Sequence, residues 1–552
     1  MPIGYDIKPR IVPKEADVLI IGAGANGLEA GAYLAKAGAR VVVLEKRFEM
    51  GGGLLTEEVT HPDYIHNTHA IYMMMADYAP LYQDFNVEEE YNVKHIYPPL
   101  QFAMPLPDGR AVCVYSDVEK TCANFAQFSK HDAASYRDLA KMCHECVDEF
   151  IGPATYAPPL SIIDAVTKMQ ATEAGKIVME YSEKTAKEIV EEHFENEQIR
   201  ALMLYTLCHW GVEYDQAGLG FLCLLYLDRA HNYRMVRGGT HIMAQALGKV
   251  IHENKGVTVN NVRIKRIIIE GGAAKGVELD DGTTIKAKAV ISTIDPHQTF
   301  LDLIGEDKLE KDFVDKIKSW QWEKYSLCGV HLALEEAPDF TVAAKNKEFN
   351  NAFVYLLGFE TERDVIEEFD AIFKGELLPD ARFNCCFPSV HDPKQAPPGR
   401  HTGLISTMAP CDLKDGGKDK WLNYKFRQAY IDKCIATLTR YAPNITRDQV
   451  METYISTPAD VENKLADMVK GGIKQGQYHP LQMGYNRPND ECSSTRTPVK
   501  NLYVGGASTY PGGCIIWGPG YNVANAVVAD MGITKWWKEP EKVTRAKKLG
   551  LL

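Results

Sequence analysis

The stretch that decides the fold is "ADVLIIGAGANGLEAGAYLAKAGARVVVLEKRFEMGGGLL", residues 16 to 55. "ADVLII" is a short apolar run with β-branched residues and predicts a buried strand. "GAGANG" predicts a turn, "LEAGAYLAKAG" a helix closed by Gly38, and "ARVVVLE" a second strand. The product is a β-α-β unit with its glycines where the strand feeds the helix. Gly22, Gly24 and Gly27 make G-x-G-x-x-G at that point. The first permits the tight turn, the second lets a pyrophosphate approach the backbone, and the third packs helix on strand. A diphosphate then meets a helix N-terminus, where free N–H groups and the macrodipole favour negative charge. Glu45 ends the second strand 23 positions after Gly22. A carboxylate there accepts both hydrogen bonds of a ribose diol. These residues predict a dinucleotide site.

Working outward, two more blocks carry a similar grammar. "GTHIMAQALGKVIHENKG" from Gly239 predicts an amphipathic helix, and "VTVNNVRIKRIIIEGGAAKGVELDDGTTIKAKAVIST" after it predicts a meander turning at "EGG" and "DDGT". Near the far end, "VGGASTYPGGCIIWGPGYNVANAVVAD", residues 504 to 530, again reads strand, glycine-rich loop and helix. Between the blocks, residues 76–235 read as mostly helical and rich in aromatics. Residues 300–495 mix helices with strands such as "SLCGVHLALEE" and "HTGLISTMAP". The expected class is α/β. Segments 14–75, 236–298 and 496–535 form one Rossmann-like domain, segments 76–235 and 299–495 an inserted α+β substrate or cap domain, and 536–552 a tail. The two glycine-rich ends then meet around one extended ligand.

Composition narrows the function. A chain of 552 residues exceeds one compact core, and a net charge of -13 argues against a nucleic-acid partner. The N-terminus lacks the apolar core of a secretory signal, and the most apolar later run, "GFLCLLYL", is too short to cross a bilayer. Thirteen irregularly spaced cysteines fit free thiols, so a cytoplasmic location is expected. Cys143 and Cys146 form C-x-x-C, but they share a helical face with Leu139, Met142, Val147 and Phe150, and no second pair completes a zinc site. No metal is expected. The basic tail with Trp536 and Trp537 is read as solvated rather than as a membrane contact.

The stretch after Glu45, "LEKRFEMGGGLLTEE", resembles the flavoprotein amine-oxidase superfamily, whose Glu-x-Arg and Gly-Gly segment wraps FAD. "TEEVTHPDYIHNTHAIY", "RGGTHIMAQALGKVI", "GVELDDGTTIKAKAVISTIDPHQTF" and "NLYVGGASTYPGG" extend the resemblance to its phytoene desaturase-like branch. That branch includes carotenoid desaturases and the pyridine nucleotide-disulphide oxidoreductase domain-containing proteins. The resemblance implies a glutathione-reductase-like FAD domain holding FAD without a covalent bond. It implies that Glu45 holds the adenosine ribose, that Arg47, Gly52 and Gly53 bracket the diphosphate, and that Val262 meets the adenine. Ala25, Asn26, Lys46 and Leu54 belong to the same early contact set. Gly506 and Gly513 lie along the late loop, and Gly520, Tyr521 and Asn522 start the helix under the pyrimidine edge of the flavin. Carotenoid desaturases carry His-Pro-Gly where this chain has Tyr510, Pro511 and Gly512, which argues against a forty-carbon polyene as substrate.

The expected partner is therefore a mainly apolar small molecule, oxidised or reduced at a carbon–carbon bond by hydride transfer at flavin N5. Tyr510 is the first acid–base candidate, with Trp517 and Tyr521 as pocket walls. His69, with His66, stands where the chain re-enters the site after the adenosine segment. Cys514, His209 and Trp210 are read as core unless they line a pocket. Alternatives are a reduced-flavin isomerase, hydratase or ene-reductase, an amine oxidase, and an interaction protein merely stabilised by FAD.

Overall fold

The computed structural model describes residues 12–552. Two seven-stranded sheets organise it. In the first, Glu15–Ile21 runs parallel to Val41–Leu44 on one side and to Thr284–Ser292 on the other. Val257–Val259 extends it parallel beyond Val41–Leu44. The strand Thr284–Ser292 has a divided far edge. Its start pairs antiparallel with Ala273–Leu279, which pairs with Ile264–Glu270, and its end pairs parallel with Leu502–Val504. The meander and the late strand thus join the early β-α-β unit in one sheet.

That sheet is covered on both faces, which is why its central strands are continuous apolar runs rather than alternating ones. Val18, Ile20, Val41 and Val43 pack towards the helices Ala25–Lys36 and His241–Glu253. Leu19, Ile21, Val42 and Leu44 pack on the other side with Ile267, Val277, Phe300 and Phe313. Gly31 brings the first helix close: a Cβ there would stand 3.0 Å from Ile251 and 3.2 Å from Val43.

The second sheet has the order Val450–Ser456, Tyr325–Leu334, His401–Pro410, Phe383–Cys386, Val354–Leu357, Leu100–Pro105 and Ala111–Tyr115. Its last two strands come from the segment read as mostly helical. Helices do dominate that segment, but "LQFAMP" and "AVCVY" are buried at every position and so lack the alternation that marks a strand. One face, including Cys328, Val330, Ile405 and Cys385, packs on the helix Tyr424–Tyr441 through Ile431, Cys434 and Leu438. On the other face, Val354, Leu356, Cys386, Leu404 and Met408 belong to the core cluster that also holds Val18 and Ile20 of the first sheet.

The tail departs from expectation. The Trp536 indole donates to the Tyr33 carbonyl at 3.1 Å and stacks on that ring, while Trp537 is 4% exposed and donates to Asn525 at 3.1 Å. The helix Glu541–Lys548 buries Val543 and Ala546, and Lys542 pairs with Asp148 at 2.8 Å. The apolar pair at i, i+3 is hidden in a charge-rich stretch, so the segment reads as solvated when it is packed. Cys143 and Cys146 are fully buried on the helix Lys130–Cys146, as their spacing implies. Among the described residues no helix is long and apolar enough to cross a membrane.

Candidate active site

A cavity of about 500 Å³ is lined by strand ends of the first sheet, such as Ile21, Leu44 and Ile264, and by loops that include Val262, Asp280, Gly513 and Cys514. Of the residues expected to hold the cofactor, Gly22, Gly24, Ala25, Asn26, Glu45, Lys46, Arg47, Gly52, Gly53, Val262 and Gly513 line it. The two early glycine segments cross back to back. Gly51 donates to the Ala23 carbonyl at 2.8 Å, and a Cβ on Gly52 would stand 2.8 Å from the Gly24 Cα. The first helix starts at Gly24 without a side-chain cap, so its leading N–H groups are free for an anion. Glu45 is fixed from behind: one carboxylate oxygen accepts from the Ala23 N–H at 2.9 Å and the other from the Arg47 N–H at 2.8 Å. Each oxygen retains a lone pair for a ribose hydroxyl. Arg47 donates to the Lys464 carbonyl and to Glu49, and its buried Nε has no partner in the protein. A glycine cradle, a helix start, an anchored carboxylate and an open arginine donor fit a dinucleotide of the FAD type.

Other expected contacts lie outside this wall. Gly27 serves packing, since a Cβ would fall 2.0 Å from the Gly22 carbonyl oxygen. Leu54 is core, and its carbonyl meets His241 Nδ1 at 3.2 Å. Gly506 abuts the Thr293 carbonyl, Gly520 abuts Glu29 and Asn26, and the Asn522 amide donates to the Thr155 carbonyl at 3.1 Å. The late helix Gly518–Met531 therefore begins against the first helix rather than in the cavity. The preceding loop supplies the wall instead. Cys514, Ile515 and Trp517 adopt left-handed backbone, and this turns Cys514 and Ile515 inward.

Three further candidates stand elsewhere. Tyr510, Trp517 and Tyr521 line neither of the cavities described here. The Tyr510 hydroxyl donates to the Ala154 carbonyl at 2.7 Å, and burial raises its pKa, so it stays protonated and is unavailable as a base. Trp517 sets its edge against Tyr82, and Tyr521 packs between Tyr33 and Tyr156.

A second cavity, of about 110 Å³, adjoins the first, and Gly53, Met468, Ile473, Cys514 and Ile515 line both. His69, His209 and Trp210 stand in its wall. Burial, reinforced by the Lys464 charge, pushes His69 down to about 3, and burial holds His209 near 4, so both are neutral at pH 7. The His69 Nε2 has no partner in the protein. His66 is absent from the wall and bonds Thr60 at 2.7 Å. Cys514 lies 3.9 Å from the Tyr478 hydroxyl, and burial raises its thiol pKa.

Sequence reasoning missed Asp467 and Gln475, which close the larger cavity from the second segment. The Gln475 amide donates to the Asp467 carboxylate. Burial, then the charges of Asp295 and Glu45, pushes Asp467 up to about 7. The nearest sequence signal was Gly471–Gly472 just before Ile473, a pair of glycines that carries no recognisable motif.

Residues 20–86 match the family model of an NAD(P)-binding Rossmann-like domain. That stretch begins at the end of the first strand and takes in the glycine turn, the first helix and the second strand of the unit that NAD and FAD sites share. The chain is 38% identical to one of the subunits of limonene dehydrogenase from Castellaniella defragrans, over 98% of this chain and 99% of that one. It is 24% identical to a lycopene-forming phytoene desaturase of Paracoccus, over 94% and 98%. Among solved structures, cyclohexylamine oxidase from Brevibacterium oxydans aligns over 94% of this chain and 99% of its own with a TM-score of 0.55 and 14% identity, a likeness of fold. The fold is a Rossmann-like FAD-binding α/β domain with an additional α+β domain. The chain belongs to the same family as that limonene dehydrogenase subunit, within the broad superfamily of FAD-binding oxidoreductases that also holds phytoene desaturases and amine oxidases.

Proposed function

We propose that this protein binds FAD without a covalent bond and oxidises or reduces a carbon–carbon bond of a small, mainly apolar molecule. The observation that carries this reading is the junction of the two cavities. A glycine-walled cavity suited to a dinucleotide meets a small apolar one across a wall of Gly53, Met468, Ile473, Cys514 and Ile515. When bound, FAD supplies a hydride acceptor at N5. The chain's part is to hold both molecules. Glu45 takes the ribose, the helix start at Gly24 and Arg47 take the diphosphate, and Val262 meets the adenine. Segments 14–75, 236–298 and 496–535 then form the cofactor domain. Segments 76–235 and 299–495 form the substrate domain and close the cofactor cavity through Asp467 and Gln475.

The apolar walls, with Ile71, Trp210, Leu327 and Leu404, exclude water and position the carbon skeleton. His69 is the group placed to take a proton, though its low pKa makes it a weak base at rest. The small volume opposes a forty-carbon polyene, a conclusion the loop aromatics do not supply because they face away from the cavity. A relative acting on limonene, as its name states, fits a compact substrate.

The test is anaerobic mixing of the FAD-loaded protein with a cyclic hydrocarbon such as limonene. Bleaching of the flavin is the expected result. An unbleached flavin, with turnover appearing only after dithionite reduction, would replace this reading with a reduced-flavin enzyme.

A further inference from the structure

The smaller cavity is not uniformly apolar. Its floor is one face of the second sheet, where the strand register sets Asn384 directly opposite Ser406. Both line the cavity, with Leu404 two positions from Ser406 on the same face. Asn384 is 3% exposed. Its amide nitrogen donates to the Tyr205 hydroxyl at 2.7 Å, and its Oδ1 has no partner in the protein. Turning the amide over exchanges the two atoms and still leaves one of them open.

Tyr72, in the same wall, has a buried hydroxyl that likewise lacks a hydrogen bond of normal geometry, with only the weakly accepting Cys386 thiol recorded beside it. His209 Nδ1 donates to the Tyr205 carbonyl at 3.0 Å, so in the neutral ring Nε2 is an acceptor. The wall of an apolar cavity thus offers a donor, Tyr72, and, with the Asn384 amide oriented as it stands, two acceptors, Asn384 and His209. Buried polar atoms are ordinarily satisfied. A hydroxyl group both donates and accepts, and so answers this set. A carbonyl only accepts, and a hydrocarbon does neither.

We propose that this cavity takes a small apolar alcohol in preference to a pure hydrocarbon, with the hydroxyl seated among Asn384, Tyr72 and His209. The inference rests on the reading of this cavity as the substrate site. It adds the polar end of the ligand, which the apolar walls alone do not specify.

Cyclohexylmethanol and ethylcyclohexane share a shape and differ by a hydroxyl for a methyl. Each is titrated into the FAD-loaded protein at equilibrium, with tryptophan fluorescence and the flavin spectrum as readouts. The hydrophobic effect alone favours the hydrocarbon, so a preference for the alcohol diagnoses a hydrogen-bonding seat. We expect the alcohol to bind about tenfold tighter, and Tyr72→Phe and Asn384→Leu each to reverse that order. Tyr72→Phe removes only a hydroxyl without a normal hydrogen bond in the protein, so it serves even where Asn384→Leu disturbs Tyr205 and the fold.

Tighter binding of the hydrocarbon by the unaltered protein, or an alcohol preference that survives both variants, overturns the proposal. If the hydrocarbon binds tighter and also bleaches the flavin, the proposed function stands and only the polar seat falls. If neither ligand changes either signal, both fall together.

Discussion

Asp467 sits in an environment that its sequence context does not announce. Nothing in "ADMVKGGIKQG" marks it, yet it is enclosed in the cofactor cavity wall with its pKa raised to about 7 from an ordinary 3.8. The sign follows from linkage. Below 3.8 the carboxyl is protonated in both folded and unfolded chains, and it adds no slope. Between about 4 and about 7 the unfolded chain releases the proton while the fold keeps it, so stability falls as pH rises. Above about 7 the fold carries a buried carboxylate at a constant cost. Asp467→Asn keeps the shape and the Gln475 contact without the charge. We expect the cofactor-free variant to be more stable than the unaltered protein by roughly 2–4 kcal/mol at pH 8, and the gap to close towards pH 4. Urea unfolding at several pH values checks this, and parallel pH profiles would remove Asp467 as the source. Asp295 is raised in the same direction by burial, so some slope persists in the variant. The glycines and Glu45 were legible because motif spacing encodes their geometry directly. Asp467, Tyr72 and Asn384 were not, because each reaches its cavity through long-range packing that no local period records.

At the scale of elements, the β-α-β unit was readable, since strand, turn and helix each carry a local signal, although the helix starts at Ala25 and not at Leu28. The hairpin Leu100–Pro105 and Ala111–Tyr115 was not, because full burial erases alternation. The late loop failed differently. Its strand and helix were placed correctly, but the left-handed residues between them decide which side chains face the cavity. Non-glycine residues there give no warning in the sequence. The crossing of the early glycine segments allows two similar substitutions to be separated. Gly52 has a φ of +56°, and its added Cβ would press on the Gly24 backbone at 2.8 Å. Gly24 has a φ of -74°, and its Cβ would meet nothing closer than 3.8 Å. Gly52→Ala is therefore expected to destabilise the fold by about 1–3 kcal/mol and to lose FAD. Gly24→Ala should keep the fold and weaken only FAD, because its methyl enters the space where the pyrophosphate approaches. Thermal melting without cofactor and a fluorescence titration with FAD distinguish the two. Equal losses of stability would mean that the crossing is not the constraint.

The whole molecule is a chain whose distant parts share one cavity. Its wall draws on residues 21–53, on 262–303, on 463–475 and on 507–515, so segments from nearly the full length of the chain contribute. None of these segments closes the cavity alone. The early segment provides the glycine cradle, the middle one the wall from Val262 to Leu303, and the last two the wall from Asn463 to Ile515. A ligand that binds only the assembled form stabilises it by mass action, about 2.7 kcal/mol at a hundredfold excess over Kd. Because the segments share that ligand, the gain should be distributed rather than confined to the glycine motif. Hydrogen exchange of the cofactor-free and FAD-loaded protein tests this. Slower exchange is expected at 45–53, at 463–475 and at 507–515 together, at matched FAD concentrations. The segment 463–475 is the informative one, since it belongs to the proposed substrate domain and carries Asp467, Ile473 and Gln475. Protection there means that cofactor binding draws the second domain onto the first and forms the wall the substrate meets. Protection limited to residues 22–53 would mean that FAD is held by the early unit alone, leaving the late segments as a separate lid and the shared-cavity reading without support.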